Sequence, residues 1–186
     1  IQVLVDKGML VRKRGVGTQV VHGKISRSVE LTSLFDDLSA AGQRPRSEVI
    51  SLELIPATEE VAQQLQLAPG DQVWSLERLR FIGEAPLALM HNFLPADAID
   101  LSDVDLSKTG LYASLRESGI LMRVARQSIG ARRADARDAR LLNEKRGAPL
   151  LTMQRTTYDN AGRAVEFGQH AYRADLYTFE LTLVDR

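Results

Sequence analysis

The chain of 186 residues contains no cysteine, so it can build no disulfide framework, no thiolate nucleophile and no cysteine-based metal site. No hydrophobic run approaches the length of a membrane span, and the first residues lack the layout of a signal peptide, so cytoplasmic residence is the expectation. The three histidines, His22, His91 and His170, have no metal-ligand spacing. There is no Ser/His/Asp set, no G-x-S-x-G elbow and no G-x4-G-K-[ST] phosphate loop. Neither a metal, a cofactor nor a catalytic residue is expected. A chain that is 44% hydrophobic and 26% charged can nevertheless bury one good core and a small appendage.

Formal charge is also lacking, at +0 overall, but this neutrality hides an asymmetry. Within residues 1–27, Lys7, Arg12, Lys13, Arg14, Lys24 and Arg27 face only Asp6, a surplus of five. Residues 28–186 therefore carry a deficit of five. A basic head on a mildly acidic body suits a phosphate-binding element joined to a domain that does not itself grip nucleic acid.

Ile1, Leu4 and Val5 form a helical stripe, and Gly8 stands where a helix would end. Two β-prone stretches follow around a basic tip of Arg12, Lys13 and Arg14, with Gly15 and Gly17 permitting a tight turn. A helix followed by a basic hairpin fits a recognition helix and wing. An ordinary hairpin with a solvated turn fits the local pattern equally well.

The remaining periodicities predict helices over 30–41, from Pro56 to Leu67, over 109–118 and over 134–144. They predict strands over 47–55, 72–82, 86–94, 121–131, 149–158, 164–172 and 177–184. A spacing of 77 relates Leu65, Gly70, Val73, Leu76 and Arg78 to Leu142, Gly147, Leu150, Met153 and Arg155. Each copy reads as helix, glycine turn, strand, hairpin and return strand. Two such units can pair about a pseudo-twofold axis into one antiparallel sheet.

Arg78 and Arg80 lie two apart on a strand and so share a face, roughly 7 Å from each other along it. Together they form either a bidentate anion clamp or a pair of arginines salt-bridged to neighbouring strands. Glu166 and Tyr172 fall on a late strand, as sheet polar groups or as ligand contacts.

The wording Leu4-x3-Gly8-Met9-Leu10, Arg14-Gly15-Val16-Gly17-Thr18 and Val20-Val21 resembles the end of the GntR-family DNA-binding domain. A second resemblance covers the body. Leu31-Thr32-Ser33-Leu34-Phe35, Gly42-x2-Pro45, Leu76-Glu77-Arg78-Leu79-Arg80, Glu84-Ala85-Pro86-Leu87-Ala88-Leu89, Leu94-Pro95, Leu111-Tyr112, Gln154-Arg155-Thr156-Thr157-Tyr158-Asp159 and Tyr172-Arg173-Ala174-Asp175-Leu176-Tyr177-Thr178-Phe179 together resemble the UTRA effector-binding domain of the HutC subgroup. These resemblances imply an α+β fold like chorismate lyase, a central antiparallel sheet with flanking helices, behind the remnant of a truncated winged helix. They divide the chain into a wing end at 1–22, a linker at 23–29 and an effector-binding and dimerisation domain at 30–186.

The implied function is that of a non-enzymatic transcription regulator, a repressor and a homodimer. Its partners would be operator DNA and a small anionic effector such as a phosphorylated sugar. Most of the winged domain would precede Ile1. Arg12, Lys13, Arg14, Gly15, Gly17 and Thr18 would contact DNA. Arg78 and Arg80, with the helix start at Ser33, Leu34 and Phe35, would hold the effector anion. Glu166 and Tyr172 would bond its polar body, and Tyr112 would stack on it or bond it. Met90 and Gly110 depart from the glutamate and serine of amino-sugar sensors in this family, which makes the pocket less polar. The alternative is a stand-alone small-molecule-binding protein or a chorismate lyase-like enzyme on the same fold.

Overall fold

In the computed structural model the described residues are strand positions 10–13, 17–20 and 25–27, positions 34, 38 and 42, and residues 45–179. Leu10–Lys13 (β1) pairs antiparallel with Gly17–Val20 (β2), and Ile25–Arg27 (β3) follows. The body then runs through Pro45–Pro56 (β4), Glu59–Leu65 (α1), Gln72–Ile82 (β5), Ala85–Pro95 (β6), Leu111–Glu117 (α2), Met122–Arg133 (β7), Ala136–Leu141 (α3), Pro149–Asp159 (β8), Ala164–Arg173 (β9) and Tyr177–Phe179 (β10). Six of these strands form one antiparallel sheet in the order β4-β5-β6-β9-β8-β7. This is the α+β architecture expected from the sequence.

The order is the same read from either edge: β4, α1, β5, β6 make one half and β7, α3, β8, β9 the other. Corresponding details recur in both. Thr58 caps α1 and Asp135 caps α3 through their side chains. Gln66 and Asn143 both take the left-handed conformation after their helices. Ala57 donates to Asp71 and accepts from Gly70, and Ala134 donates to Ala148 and accepts from Gly147. Gly70 and Gly147 hold φ of 93° and 85°, where a Cβ would be strained. The register shifts at Arg80/Phe81 against β6 and at Thr157/Tyr158 against β9.

The two helices cover the same sheet face. Val61, Ala62 and Leu65 of α1 pack on Val73, Phe93 and Phe167, and Leu142 after α3 packs with Leu79, Leu89 and Ala171. Burial of each large aliphatic side chain contributes about 1.5–3 kcal/mol. The opposite face is covered by the helical Leu34 and Leu38 against Met90, Met153 and Tyr172, and by Leu111, Tyr112 and Leu115 of α2 against Leu76 and Leu94.

Element boundaries shift where capping decides them. Residues 134–144 contain only the six-residue α3, because Asp135 and Asp138 form a reciprocal cap that starts the helix at Ala136. Residues 109–118 contain Leu111–Glu117, with Gly110 as an extended N-cap that makes no side-chain hydrogen bond. The segment read as a linker, 23–29, includes β3, which runs parallel to β10 with Ile25 opposite Tyr177. Backbone groups at the edge of β10 give those residues partners. Three residues are too few to show a strand period. The last strand is seen through Phe179, and 180–186 lie outside the described residues.

Candidate functional site

Strand parity places Arg78, Arg80, Met90, Asn92, Arg155, Glu166 and His170 on the face covered by Leu34 and α2, where they line one cavity with Leu34, Leu111 and Tyr112. Arg78 stands opposite Met90 in the β5–β6 pair, and Met90 stands opposite His170 in the β6–β9 pair. Arg78 and Arg80 are each only 2% exposed, so these are interior guanidiniums and not a solvated surface pair.

The polar side chains form a connected network. Arg78 Nη2 donates to Asn92 Oδ1 at 3.0 Å. Asn92 Nδ2 donates to Glu166 Oε1 at 2.6 Å and approaches His170 Nε2 at 3.2 Å. The Asn92 amide orientation then makes His170 Nε2 an acceptor, leaving Nδ1–H to donate to the Tyr172 hydroxyl 3.0 Å away. On the other carboxylate oxygen, Glu166 Oε2 accepts from Thr157 at 2.8 Å and from Tyr112 at 3.3 Å. Arg155 gives Nε to Gln127 at 2.9 Å and reaches the Tyr112 hydroxyl with Nη1 at 3.5 Å.

Gly168 lies beneath this network because nothing larger fits. A Cβ there would stand 2.7 Å from Glu166 Oε1, 2.9 Å from His170 Nε2 and 3.1 Å from Asn92 Nδ2. In the duplicated halves Gly168 faces Arg155 as Met90 faces Arg78. The second half therefore gives up a side chain so that the groups of both halves can meet.

Two atoms remain unanswered within it. Arg78 Nε and Nη1 are buried and have no hydrogen-bond partner among the described residues. Burial lowers the Arg78 pKa to about 10, against the raising effects of Glu166 and Tyr112, so the group is still cationic at neutral pH. Burial also raises the Glu166 carboxyl above its ordinary range, opposed by hydrogen bonds from Thr157 and Asn92. The Tyr112 phenol is pushed up to about 12, by burial first and by Glu166 second, and stays protonated. A cation with two buried, unsatisfied donors is a high-energy arrangement that an incoming anion would relieve.

The residues expected at the site are therefore placed as follows. Arg78, Arg80, Met90, Tyr112, Glu166 and Leu34 come together on the cavity wall. Tyr172 is fully buried behind His170 and stacked on Tyr177, ring centroids 4.2 Å apart, so it meets the network and not the cavity. Ser33 and Phe35 lie outside the described residues, as do Arg14 and Gly15 of the basic hairpin. Arg12 and Lys13 fall on β1, and Gly17 and Thr18 on β2. Asn92, Thr157, Arg155 and His170 were not anticipated. Arg155 and Thr157 stand in one of the family-like segments, and Arg155 is also the repeat equivalent of Arg78; nothing in the sequence marks Asn92 or His170.

A larger opening, about 550 Å³, lies on the opposite sheet face and is lined by Glu77, His91, Gln154, Gln169, Arg137 and Asp138 among others. Its charged groups answer one another. Arg137 forks onto Glu77, with Nη1 2.6 Å from Oε1, and Arg132 pairs with Asp138. Among the described residues there is no cluster of three potential metal-ligating side chains and no helix long and apolar enough to cross a membrane.

The UTRA domain family matches residues 40–178. The chain is 31% identical over 178 residues to the HTH-type transcriptional repressor NagR of Bacillus subtilis, covering 95% of this chain and 73% of that protein. It is 28% identical over 179 residues to the HTH-type transcriptional regulator GgaR of Escherichia coli K12, covering 96% and 71%. The crystal structure of PhnF from Mycobacterium smegmatis superposes with a TM-score of 0.84 at 27% identity, over 100% of this chain and 82% of that one. The relatives are transcription regulators, and the family match includes every strand of the six-stranded sheet. The chain belongs to the UTRA domain family of GntR-type transcription regulators.

Proposed function

We propose that this regulator holds a small anionic effector between Arg78 and Arg80 and that occupancy changes its affinity for an operator. The observation that supports this reading most directly is the pair of buried Arg78 donors, Nε and Nη1, which have no acceptor among the described residues and stand beside a second buried guanidinium. Leu34 contributes the apolar wall, and the adjoining backbone at Ser33 and Phe35 would add N–H donors. Met90 borders the clamp. Glu166 and Tyr112 fix the network that aims Arg78, and Tyr172 supports it from behind through His170.

Arg12, Lys13, Arg14, Gly15, Gly17 and Thr18 would serve as a wing on DNA, positioning the protein through phosphates and carrying little base information. Effector and operator prefer different arrangements of the DNA-binding heads, so each weakens the other reciprocally. Repression is the direction favoured by the kinship with NagR. A twofold homodimer matches the pseudo-palindromic operators that such heads read, and the setting is the cytoplasm, where operator DNA lies.

The test is calorimetric titration of the whole regulator with inorganic phosphate, with and without Arg78→Ala. Each charge-assisted bond is worth about 1.5–3 kcal/mol, so the variant should bind about ten- to a hundredfold more weakly. Equal affinity in both would remove Arg78 from the site.

A further inference from the structure

The polar groups around the clamp are already committed to one another. A carboxylate offers about four acceptor positions. Three on Glu166 are taken, by Asn92, Tyr112 and Thr157. Both N–H bonds of Asn92 are used, toward Glu166 and His170, and its oxygen accepts from Arg78. The single Tyr112 proton is shared between Thr157 at 3.0 Å and Glu166 at 3.3 Å. Against these stand three apolar side chains on the same wall, Leu34, Met90 and Leu111, all nearly fully buried.

We infer that the effector is an anion carried on a short body with few or no hydroxyl groups, rather than a polyhydroxylated one. This rests on the anion-clamp reading proposed above and deepens it. The anionic head takes the open edge of Arg78 together with Arg80. The body meets Leu34, Met90 and Leu111. A hydroxyl placed there would lose water and find, on the described carboxylate and amide, only the one remaining position on Glu166, so each further hydroxyl weakens binding, by about tenfold. Each methylene buried instead strengthens it about fourfold. The free space beside these groups is small. It is about 20 Å³, room for a single water-sized group, so anything larger must displace a wall side chain. Met90 is the wall element that can move, having three rotatable bonds and no hydrogen bond to break.

The experiment is calorimetry on the full chain with matched probes: inorganic phosphate, propyl phosphate and glycerol 3-phosphate, then butanoate and 3,4-dihydroxybutanoate. Within each three- or four-carbon pair the members differ by two hydroxyls. Propyl phosphate, or butanoate if the head is a carboxylate, should bind at least tenfold tighter than its hydroxylated partner, and propyl phosphate tighter than inorganic phosphate. The preference should persist in Met90→Leu, which keeps the wall apolar. Equal or tighter binding of the hydroxylated member overturns this inference while leaving the clamp intact. Failure of every probe, or binding indifferent to Arg78→Ala, removes the clamp and this inference with it.

Discussion

Asn92 and His170 hold the same register position in the two halves of the sheet, opposite Leu76 and Met153 respectively, and they meet at 3.2 Å. The seam between β6 and β9 is where the duplicated halves touch. Groups that are distant in sequence but equivalent by repetition converge there, one as an amide and the other as an imidazole. The amide offers two donors and an acceptor and the imidazole one of each, so the pair links Arg78 and Glu166 on one side to the Tyr172 hydroxyl on the other.

Arg78→Met separates electrostatics from packing. It removes a buried charge with unmet donors, which favours folding, and it orphans Asn92 Oδ1, which opposes it. Stability without anion should therefore change by less than about 1 kcal/mol, while the phosphate-induced rise in melting temperature vanishes. Differential scanning fluorimetry across a phosphate series reads both; a retained phosphate response would place the anion elsewhere.

Gly168→Ala should be costly for a residue with no side chain. The added methyl meets three polar atoms of the network at 3.1 Å or less, an overpacking cost of about 1–3 kcal/mol. Gly130→Ala is the comparison, since its Cβ would meet only the Thr152 hydroxyl at 3.0 Å, and it should cost less. Urea denaturation of the two variants gives the contrast, and equal destabilisation would count against a special role for Gly168.

The raised Glu166 carboxyl predicts a particular pH dependence. Its folded pKa lies above the unfolded value, so the folded state holds the proton more tightly. The stabilisation is fully present below about pH 4, the unfolded range, and is lost as pH rises through the folded value. Asp138 acts in the opposite sense. Its carboxyl is lowered, mainly by the hydrogen bond from Arg132, so its contribution is present above the unfolded pKa and is lost as pH falls through the folded one. Stability measured against pH should lose the first slope in Glu166→Gln and keep it in Asp138→Asn. A Glu166→Gln profile parallel to the parent would show that Glu166 does not titrate differently on folding.

Alanine at Arg12, Lys13 and Arg14 should weaken binding to operator and random DNA alike. The plot of log affinity against log salt should flatten by up to about three charges, each worth about 0.9 in slope. An unchanged slope in filter-binding or anisotropy titrations would take the β1–β2 pair out of the interface.

Tyr172→Phe tests whether the site reports outward. The hydroxyl bonds His170 Nδ1 at 3.0 Å, and the ring stacks on Tyr177 of β10. In the whole regulator this variant should bind phosphate within about threefold of the parent yet show a smaller phosphate effect on operator affinity. A full-sized response would mean that the hydroxyl carries no coupling.

Local rules made much of this legible. Alternation with period two put Arg78 and Arg80 on one face, and the spacing of 77 anticipated the mirrored strand order. Other features needed pairing across the seam. Asn92 sits between His91 and Phe93 in an apolar strand, and nothing nearby in sequence marks it as the hub linking Arg78 to Glu166. Tyr172 shares the strand face of Glu166 and His170, but parity says nothing of depth, and one pleat beyond His170 it sinks into the core. Likewise β3 was invisible, because its partner lies some 150 positions away and its own three residues show no pattern.

That parallel pair of β3 and β10 makes the chain almost a closed ring, with Ile25 held beside Tyr177. Closing so long a loop carries an entropy cost that grows only slowly with length, so three paired residues can hold it once the sheet has formed. Among the described residues β3 pairs with no other strand. Deleting residues 177–179 would remove the partner strand of β3 and, with it, the Tyr177 ring buried among Met90, Met153 and Tyr172. Tension on β3 would be borne by this pairing, and its first point of purchase on the body would be the stacked rings of Tyr177 and Tyr172.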